Sequence, residues 1–252
     1  MKLISILIAA YKAPAWLEEC IDSINSQSLP EGWKMEILLG IDGCQPTLAV
    51  AKALNCQRLK IISITENVGT YITFNTLMTV AEGELICRFD ADDVMNPGFL
   101  EKQMVVLQSN TDMTMTWSIF TDEKLQQTAY YLSHKEKHPT NGFHRRGADG
   151  QFVIKRAVWD TLGGFQPWRI DADSEFLARV KIIDRTIAVV EEYLYLRRNH
   201  PNSLTAHPDS GFESRMRIQN RTTIKDYINQ YNQGTRPLKI NPVCADSFSY
   251  LE

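Results

Sequence analysis

The chain reads as an α/β protein: one domain with a mostly parallel central sheet flanked by helices, then a C-terminal helical extension. Three observations predict this. Apolar runs of strand length alternate with segments of helical periodicity through the first half, which implies parallel strands joined by right-handed crossovers. The first run, residues 3–9, is apolar at every position but Ser5 and rich in Ile, as suits a strand covered on both faces. The length, 252 residues with 44% hydrophobic content, suffices for one sizeable core.

After that first strand, Pro14 fits the opening turn of a helix, where a missing N–H costs nothing. Leu17, Cys20, Ile21 and Ile24 then recur at helical spacing. A second strand at 35–41 breaks at Asp42-Gly43, a helix at 47–54 follows, and a third strand spans 59–65. The loop "ENVG" opens a helix at 71–81, and a fourth strand at 84–89 runs into a cluster of acids.

Beyond a helix at 97–109 the pattern loosens. Residues 113–120 and 127–132 read as strands, and 133–150 as a polar loop. A strand at 151–154 and a helix at 156–162 lead to Gly163, placed to cap that helix. A helix at 173–183, strands at 186–191 and 193–198, and a helix at 211–231 follow. The last twenty residues contain Pro237 and Pro242 and show no periodicity.

Net charge is −3, from 27 basic and 30 acidic residues, which argues against a general polyanion binder and makes nucleic acid an unlikely partner. The five cysteines are scattered, with no CxxC pair, which favours reduced thiols in a cytosolic protein over disulfides or a zinc site. The opening "MKLISILIAAYKAPAW" has a weak basic start for a signal peptide and fits a buried strand entering a helix. No run of 18 apolar residues occurs, so no membrane span is expected.

The chemistry concentrates in "ELICRFDADDVMNP", where an apolar strand delivers Asp90, Asp92 and Asp93 to one tip. Like charges this close repel, and desolvating them is costly unless a cation joins them. On an extended backbone Asp90 and Asp92 face one side, about 6–7 Å apart. Oxygen ligands of this kind suit Mg²⁺ or Mn²⁺ with substrate phosphates. The competing reading is a helix N-cap, which needs one carboxylate rather than three. The strand-end breaks at Ala10-Tyr11, Asp42-Gly43, Glu66–Gly69 and Asp90–Asp93 all fall on the sheet edge where open α/β folds bind ligands.

Six segments, "SILIAAYKAPAWLEECIDSINSQ", "ILLGIDG", "ENVGTYITFN", "CRFDADDVMNPGFLE", "VIKRAVWDTLGGF" and "DSEFLARV", come in the order seen in family 2 glycosyltransferases. The chain resembles that family over residues 2–198. The resemblance implies the GT-A fold, with residues 1–205 as the transferase domain, 1–110 its nucleotide-binding half and 111–205 its acceptor-binding half. Residues 206–252 are then a C-terminal helix and tail.

The resemblance also implies roles. Ala10 and Tyr11 would meet the nucleobase, and Asp42 the base or ribose, although an Asp-Gly pair also simply makes turns. Asn67, Gly69 and Asn75 would lie by the nucleotide. The family commonly has an arginine just before the position of Asn75, where this chain has Phe74; Arg88 or a C-terminal basic residue would replace it. Asp90 and Asp92 match the DxD motif, with Asp92 the direct metal ligand, Asp90 nearer the ribose and Asp93 orienting water or the donor sugar. Asp173, six residues before Arg179, matches the general base of an inverting transfer. The family more often has Glu-Asp where this chain has Ala172-Asp173, so Glu175 stays a second candidate. Asp173 as a helix cap and Glu175 paired with Arg179 is the structural alternative. His200 would complete the metal shell, with His207 behind it, and Arg197 and Arg198 would meet the diphosphate.

The expected activity is a metal-dependent, inverting, non-processive transfer of one sugar from a nucleotide-sugar donor, using Mn²⁺ or Mg²⁺, in glycan or surface polysaccharide biosynthesis. A glycan or lipid-linked acceptor is the expected partner, in the cytoplasm or at the inner face of the membrane. Rival readings are a non-catalytic nucleotide-binding module and a haloacid-dehalogenase-type phosphohydrolase, which also uses a strand followed by DxDxV. The C-terminal helix could dock on the core, form a homodimer face or touch a membrane; its mixed charge favours docking.

Overall fold

The computed structural model describes residues 1–108, 110–126, 151–201 and 203–251. The expected strand at 127–132 and the loop holding His134, His138 and His144 lie outside these. Nine strands form one sheet in the order β5-β8-β6-β7-β4-β1-β2-β3-β9. They are β1 (Lys2–Ala10), β2 (Trp33–Asp42), β3 (Leu59–Ile64), β4 (Leu85–Asp90), β5 (Val94–Met95), β6 (Met113–Thr121), β7 (Phe152–Lys155), β8 (Ile187–Arg198) and β9 (Phe248–Leu251). Strands β1 to β4 are parallel, as is β8 with β6, whereas β5, β7 and β9 join antiparallel.

The described helices are α1 (Leu17–Asn25), α2 (Gln45–Ala53), α3 (Thr70–Met78), α4 (Phe99–Leu107), α5 (Arg156–Leu162), α6 (Ala172–Ile182) and α7 (Arg215–Asn232). They cover both faces of the sheet. Alternation along β1 sends Ile4, Ile6 and Ile8 to one face, with Leu17, Ile21 and Ile24 of α1 and Phe99 and Met104 of α4. Leu7 goes to the other, with Phe74 and Leu77 of α3 and the aromatic cluster Phe152, Trp159, Phe165 and Phe176. Each fully buried aliphatic here contributes about 1.5–3 kcal/mol.

Several boundaries differ from expectation for physical reasons. Pro14 lies just ahead of α1, in a turn that the Leu17 N–H closes onto the Ala13 carbonyl at 3.1 Å. The two strands expected at 186–191 and 193–198 are one strand, β8, whose register on β6 shifts around Trp117 and lets exposed Glu191 and Glu192 pass. Helix α7 starts at Arg215 because the Ser214 hydroxyl accepts the Arg217 N–H at 3.2 Å. Gly163 does cap α5, at φ 77°.

The tail is structured. The Asn75 side chain donates to the Val243 carbonyl, Ala245 N–H donates to Thr76 Oγ1, and β9 pairs antiparallel with β3. Among the described residues no helix is long and apolar enough to cross a membrane.

Candidate active site

Strands β2 and β3 lie on one side of β1 and β4 on the other, so the winding reverses between β1 and β4. Loops leaving such a switch point part and open a crevice at the carboxyl ends of the strands. Here the crevice is a cleft of about 1690 Å³. Single-ligand pockets run to roughly 300–1,000 Å³, so two substrates have room.

On the donor side Tyr11, 43% exposed, follows β1 and lines the cleft, with Lys12 Nζ 5.2 Å from its ring centre. Asp42, at the end of β2, has both carboxylate oxygens engaged. Oδ1 accepts Val68 N–H at 2.7 Å, while Oδ2 accepts Gly69 N–H at 3.0 Å and Asn67 Nδ2 at 2.8 Å. Asp42 therefore clamps the 66–69 loop under the cleft, which it also lines. Burial raises its proton affinity, and the Val68 and Gly69 N–H groups oppose that shift. The loop sits so close that a Cβ on Gly43, at φ 60°, would meet Asn67 N at 2.4 Å.

Ala10 is fully buried in the core, and Asn75 faces away from the cleft. The Asn75 amide bonds the Phe165 carbonyl, the Phe165 N–H and the Val243 carbonyl. Neither lines the cleft, which corrects both expectations: the β1 end meets the cleft through Ala9 and Tyr11 instead. Phe74 is informative. Its ring carries the Arg88 guanidinium 4.8 Å from its centre, and Arg88 grips Asp90 with two bonds of 2.9 Å.

The three acids divide their work. Asp93 is buried, accepting the Tyr195 hydroxyl and the Arg198 N–H at 2.7 Å. It is a brace between the acidic turn and β8, not a free group for water or sugar. Burial first, then Asp92 and Asp90, push its carboxyl well above the usual range. Asp90 is also raised, by burial and by Asp92 against the pull of Arg88. Asp92 Oδ2 lies 2.8 Å from His200 Nε2, and both line the cleft. His200 packs on Trp16, ring centres 4.0 Å apart, with its buried Nδ1 lacking a partner.

Among the described residues no group of three or more His, Cys, Asp or Glu forms a metal cage. Mg²⁺ and Mn²⁺ need none, since one or two protein ligands plus substrate phosphates and water suffice. The Asp92 carboxylate and the His200 imidazole, 2.8 Å apart on one wall with Asp90 also lining the cleft, are a donor set that fits such an ion.

Arg198 is not free for a diphosphate. Its Nε donates to the Asp92 carbonyl at 2.8 Å, Nη1 to the Glu123 carbonyl and Nη2 to Glu19. Arg197 lies over the Phe120 and Phe212 rings and lines the cleft.

Asp173, in the first turn of α6, also lines the cleft, its Oδ1 accepting Ser174 N–H at 2.8 Å. Tyr71 faces it; burial first and the Asp173 charge second push that phenol well above its ordinary range, so it stays a donor. Glu175 is fully buried. It pairs with Arg179 and accepts the Tyr231 hydroxyl at 2.5 Å, and it does not line the cleft. Its place is the buried ion pair, which was the structural alternative for Glu175.

Sequence reasoning missed Trp16, Arg169 and, His207 apart, the far wall at residues 203–224, which includes Phe212, Met216 and Arg217. The spacing of α7 carries no sign that this helix lines a cleft. His207 sits on that wall, its Nδ1 3.9 Å from Asp209, away from the Asp92–His200 pair.

A doubly wound sheet with a carboxylate-lined cleft at its switch point defines a ligand-binding α/β class, and the comparisons narrow it to glycosyltransferases of the GT-A fold. The chain belongs to glycosyl transferase family 2, whose model matches residues 5–176. It is 30% identical over 220 residues to an uncharacterized glycosyltransferase, MJ1057, of Methanocaldococcus jannaschii, covering 79% of this chain and 71% of that one. It is 28% identical over 121 residues to the amylovoran biosynthesis glycosyltransferase AmsE of Erwinia amylovora, covering 45% and 44%.

Among solved structures, S. aureus TarS 1-349 in complex with UDP-GlcNAc superposes with TM-score 0.65 at 17% identity, over 81% of this chain and 60% of that one. The mannosyltransferase PcManGT from Pyrobaculum calidifontis, in complex with GDP-Man and Mn2+, gives 0.59 at 13%, over 93% and 72%. The chain spans about a third of the length of a Haemophilus influenzae relative and 62% of the Bacillus subtilis relative EpsH.

Proposed function

We propose that this chain moves one sugar from a nucleoside-diphosphate sugar to an acceptor hydroxyl with inversion, in glycan or surface polysaccharide biosynthesis. The observation that carries the reading is the Asp92–His200 pair on one wall of the cleft that holds Asp173. Tyr11 stacks on the base, and Arg197 meets the diphosphate. Asp92 and His200, with Asp90 beside them, hold Mn²⁺ or Mg²⁺. When bound, the ion offsets charge developing on the leaving diphosphate. Asp173 takes the acceptor proton as the acceptor oxygen attacks the anomeric carbon, and the nucleoside diphosphate departs with the bonding pair. General-base help of this kind is worth ~10²–10⁴ in rate.

A single displacement fits a turn in which Glu175 is committed to Arg179 and Asp171 to Arg217. The relative named for amylovoran biosynthesis supports a polysaccharide setting. A glycan or lipid-linked acceptor suits the far wall, where exposed Phe212 and Met216 neighbour Arg215 and Arg221. Work at the inner face of a membrane, in the cytoplasm, follows from that acceptor.

The test is calorimetry with nucleoside diphosphates and their sugars, with and without Mn²⁺, followed by NMR of the product's anomeric centre. Mn²⁺-dependent binding and an inverted product are expected. Absence of any nucleotide binding, or a retained configuration, would sink the reading.

A further inference from the structure

Asp171 occupies the residue just before α6, in a left-handed conformation at φ 64° and ψ 9°. An aspartate there ordinarily turns its carboxylate onto the N–H groups of the second or third helical residue, from an extended backbone. This one makes no such bond. Its Oδ1 is held instead by Arg217 Nη1, from α7, and Asp171 is 5% exposed. The left-handed backbone costs of order 1–3 kcal/mol for a non-glycine residue and persists only where surroundings impose it. Arg217 supplies that constraint from a rigid position: its Nε and Nη2 donate to the Ser210 carbonyl at 3.1 and 3.0 Å, and its guanidinium lies 5.2 Å from the Phe212 ring centre.

The diversion has a direct result in the next turn. With the Asp171 carboxylate elsewhere, the Ser174 N–H is available, and Asp173 Oδ1 takes it at 2.8 Å. That bond, together with the Tyr71 hydroxyl facing it, holds the Asp173 side chain in the cleft.

We propose that Arg217 and Asp171 are positioning residues for Asp173: Arg217 draws the Asp171 carboxylate off the α6 N-terminus, leaves the Ser174 N–H to Asp173, and ties the far wall to that turn. This rests on Asp173 being the base. The same staple joins Ser210 and Phe212 to the turn, so the acceptor wall and the base move as one body. Neither residue touches the donor side, so loss of the pair acts on turnover and spares donor affinity.

The experiment compares Arg217→Gln, Arg217→Lys, Asp171→Asn and Asp173→Asn with the parent chain, using UDP-GlcNAc and GDP-mannose with Mn²⁺ and reading nucleoside diphosphate release. It is paired with a crystal structure of Arg217→Gln, or of Asp171→Asn should the first variant fold poorly. Displacement of about 1 Å at a reacting group can cost ~10²-fold. Arg217→Gln and Asp171→Asn are expected to lower kcat about 10- to 100-fold with donor KM within about twofold, and Arg217→Lys to recover most of the loss. In the crystal structure the Asp173–Ser174 N–H bond is expected to be broken. An intact bond overturns the proposal, as do an unchanged kcat or a parallel rise in donor KM. Asp173→Asn separates the two ideas: wild-type turnover in that variant removes the base assignment itself, whatever the crystal structure shows of the staple.

Discussion

Glu175 and Arg179 form a forked ion pair, Nε to Oε1 at 2.9 Å and Nη2 to Oε2 at 2.8 Å, with neither side chain exposed. Arg179 also donates to the carbonyls of Leu162, Gly164 and Leu238, which joins α5, α6 and the tail at one buried point. Breaking such a pair by removing one partner leaves an uncompensated charge and costs about 3–5 kcal/mol. Arg179→Met should lower unfolding stability by that order in urea. Glu175→Gln, if folded, should retain turnover, while Asp173→Asn should lose about 10²-fold or more. The reverse ranking would return the base role to Glu175.

Phe74 predicts a second outcome. Its ring supports Arg88, whose grip on Asp90 keeps that carboxylate aimed at the cleft. Phe74→Leu keeps the apolar volume and removes the aromatic face, with a loss of about 0.5–2 kcal/mol from the cation–ring contact. Donor KM should rise several-fold with kcat nearly unchanged. Steady-state kinetics with the donor as varied substrate would show it.

Glu36 makes the fold sensitive to acid. Buried on β2, it accepts Ser5 Oγ at 2.6 Å, Lys60 Nζ at 2.7 Å and Glu82 N–H at 2.8 Å. Burial raises its proton affinity, but these partners outweigh burial and hold the carboxyl below its ordinary value. A carboxyl lowered in the folded state contributes stability above its unfolded value, near 4.5, and that contribution is lost as pH falls through the folded value. Glu36→Gln should be less stable at neutral pH by about 1–3 kcal/mol. Its stability should also fall less steeply than the parent's below about pH 4.5. Urea unfolding across that range checks both.

Gly163 carries a steric prediction. At φ 77° it turns α5 into the following loop, and an added Cβ would lie 1.9 Å from the Ile240 carbonyl oxygen. Gly163→Ala forces the tail to shift and strains the turn, at a cost of order 1–3 kcal/mol. Limited proteolysis should then cut within 236–247 sooner than in the parent.

Much of this was readable from the residues. Nearly continuous apolar runs marked β1 and β2, because strands buried on both faces admit a polar side chain only where it is paired, as Ser5 and Glu36 are, and the acidic turn after β4 stood out because like charges need a reason. What stayed hidden depended on distance in space. Asp42 reads as a base contact until the N–H groups of Val68 and Gly69 are seen on its oxygens. Asp93 reads like its neighbours until Tyr195 is found against it. Strand β9 is four largely exposed residues on an edge, too short and too polar in its surroundings to leave a pattern. The role of Arg217 is set by a partner 46 positions away, which no local spacing encodes.

The pairing of Ile61 with Leu251 has a consequence for biogenesis. A ribosome releases β3 long before β9 exists, so the nascent chain carries an open, hydrogen-bond-hungry border for most of its synthesis. Contacts so far apart in sequence also slow the search for the native state. Overproduced protein is therefore expected to gain solubility from slower translation or holdase chaperones more than from any substitution at the cleft.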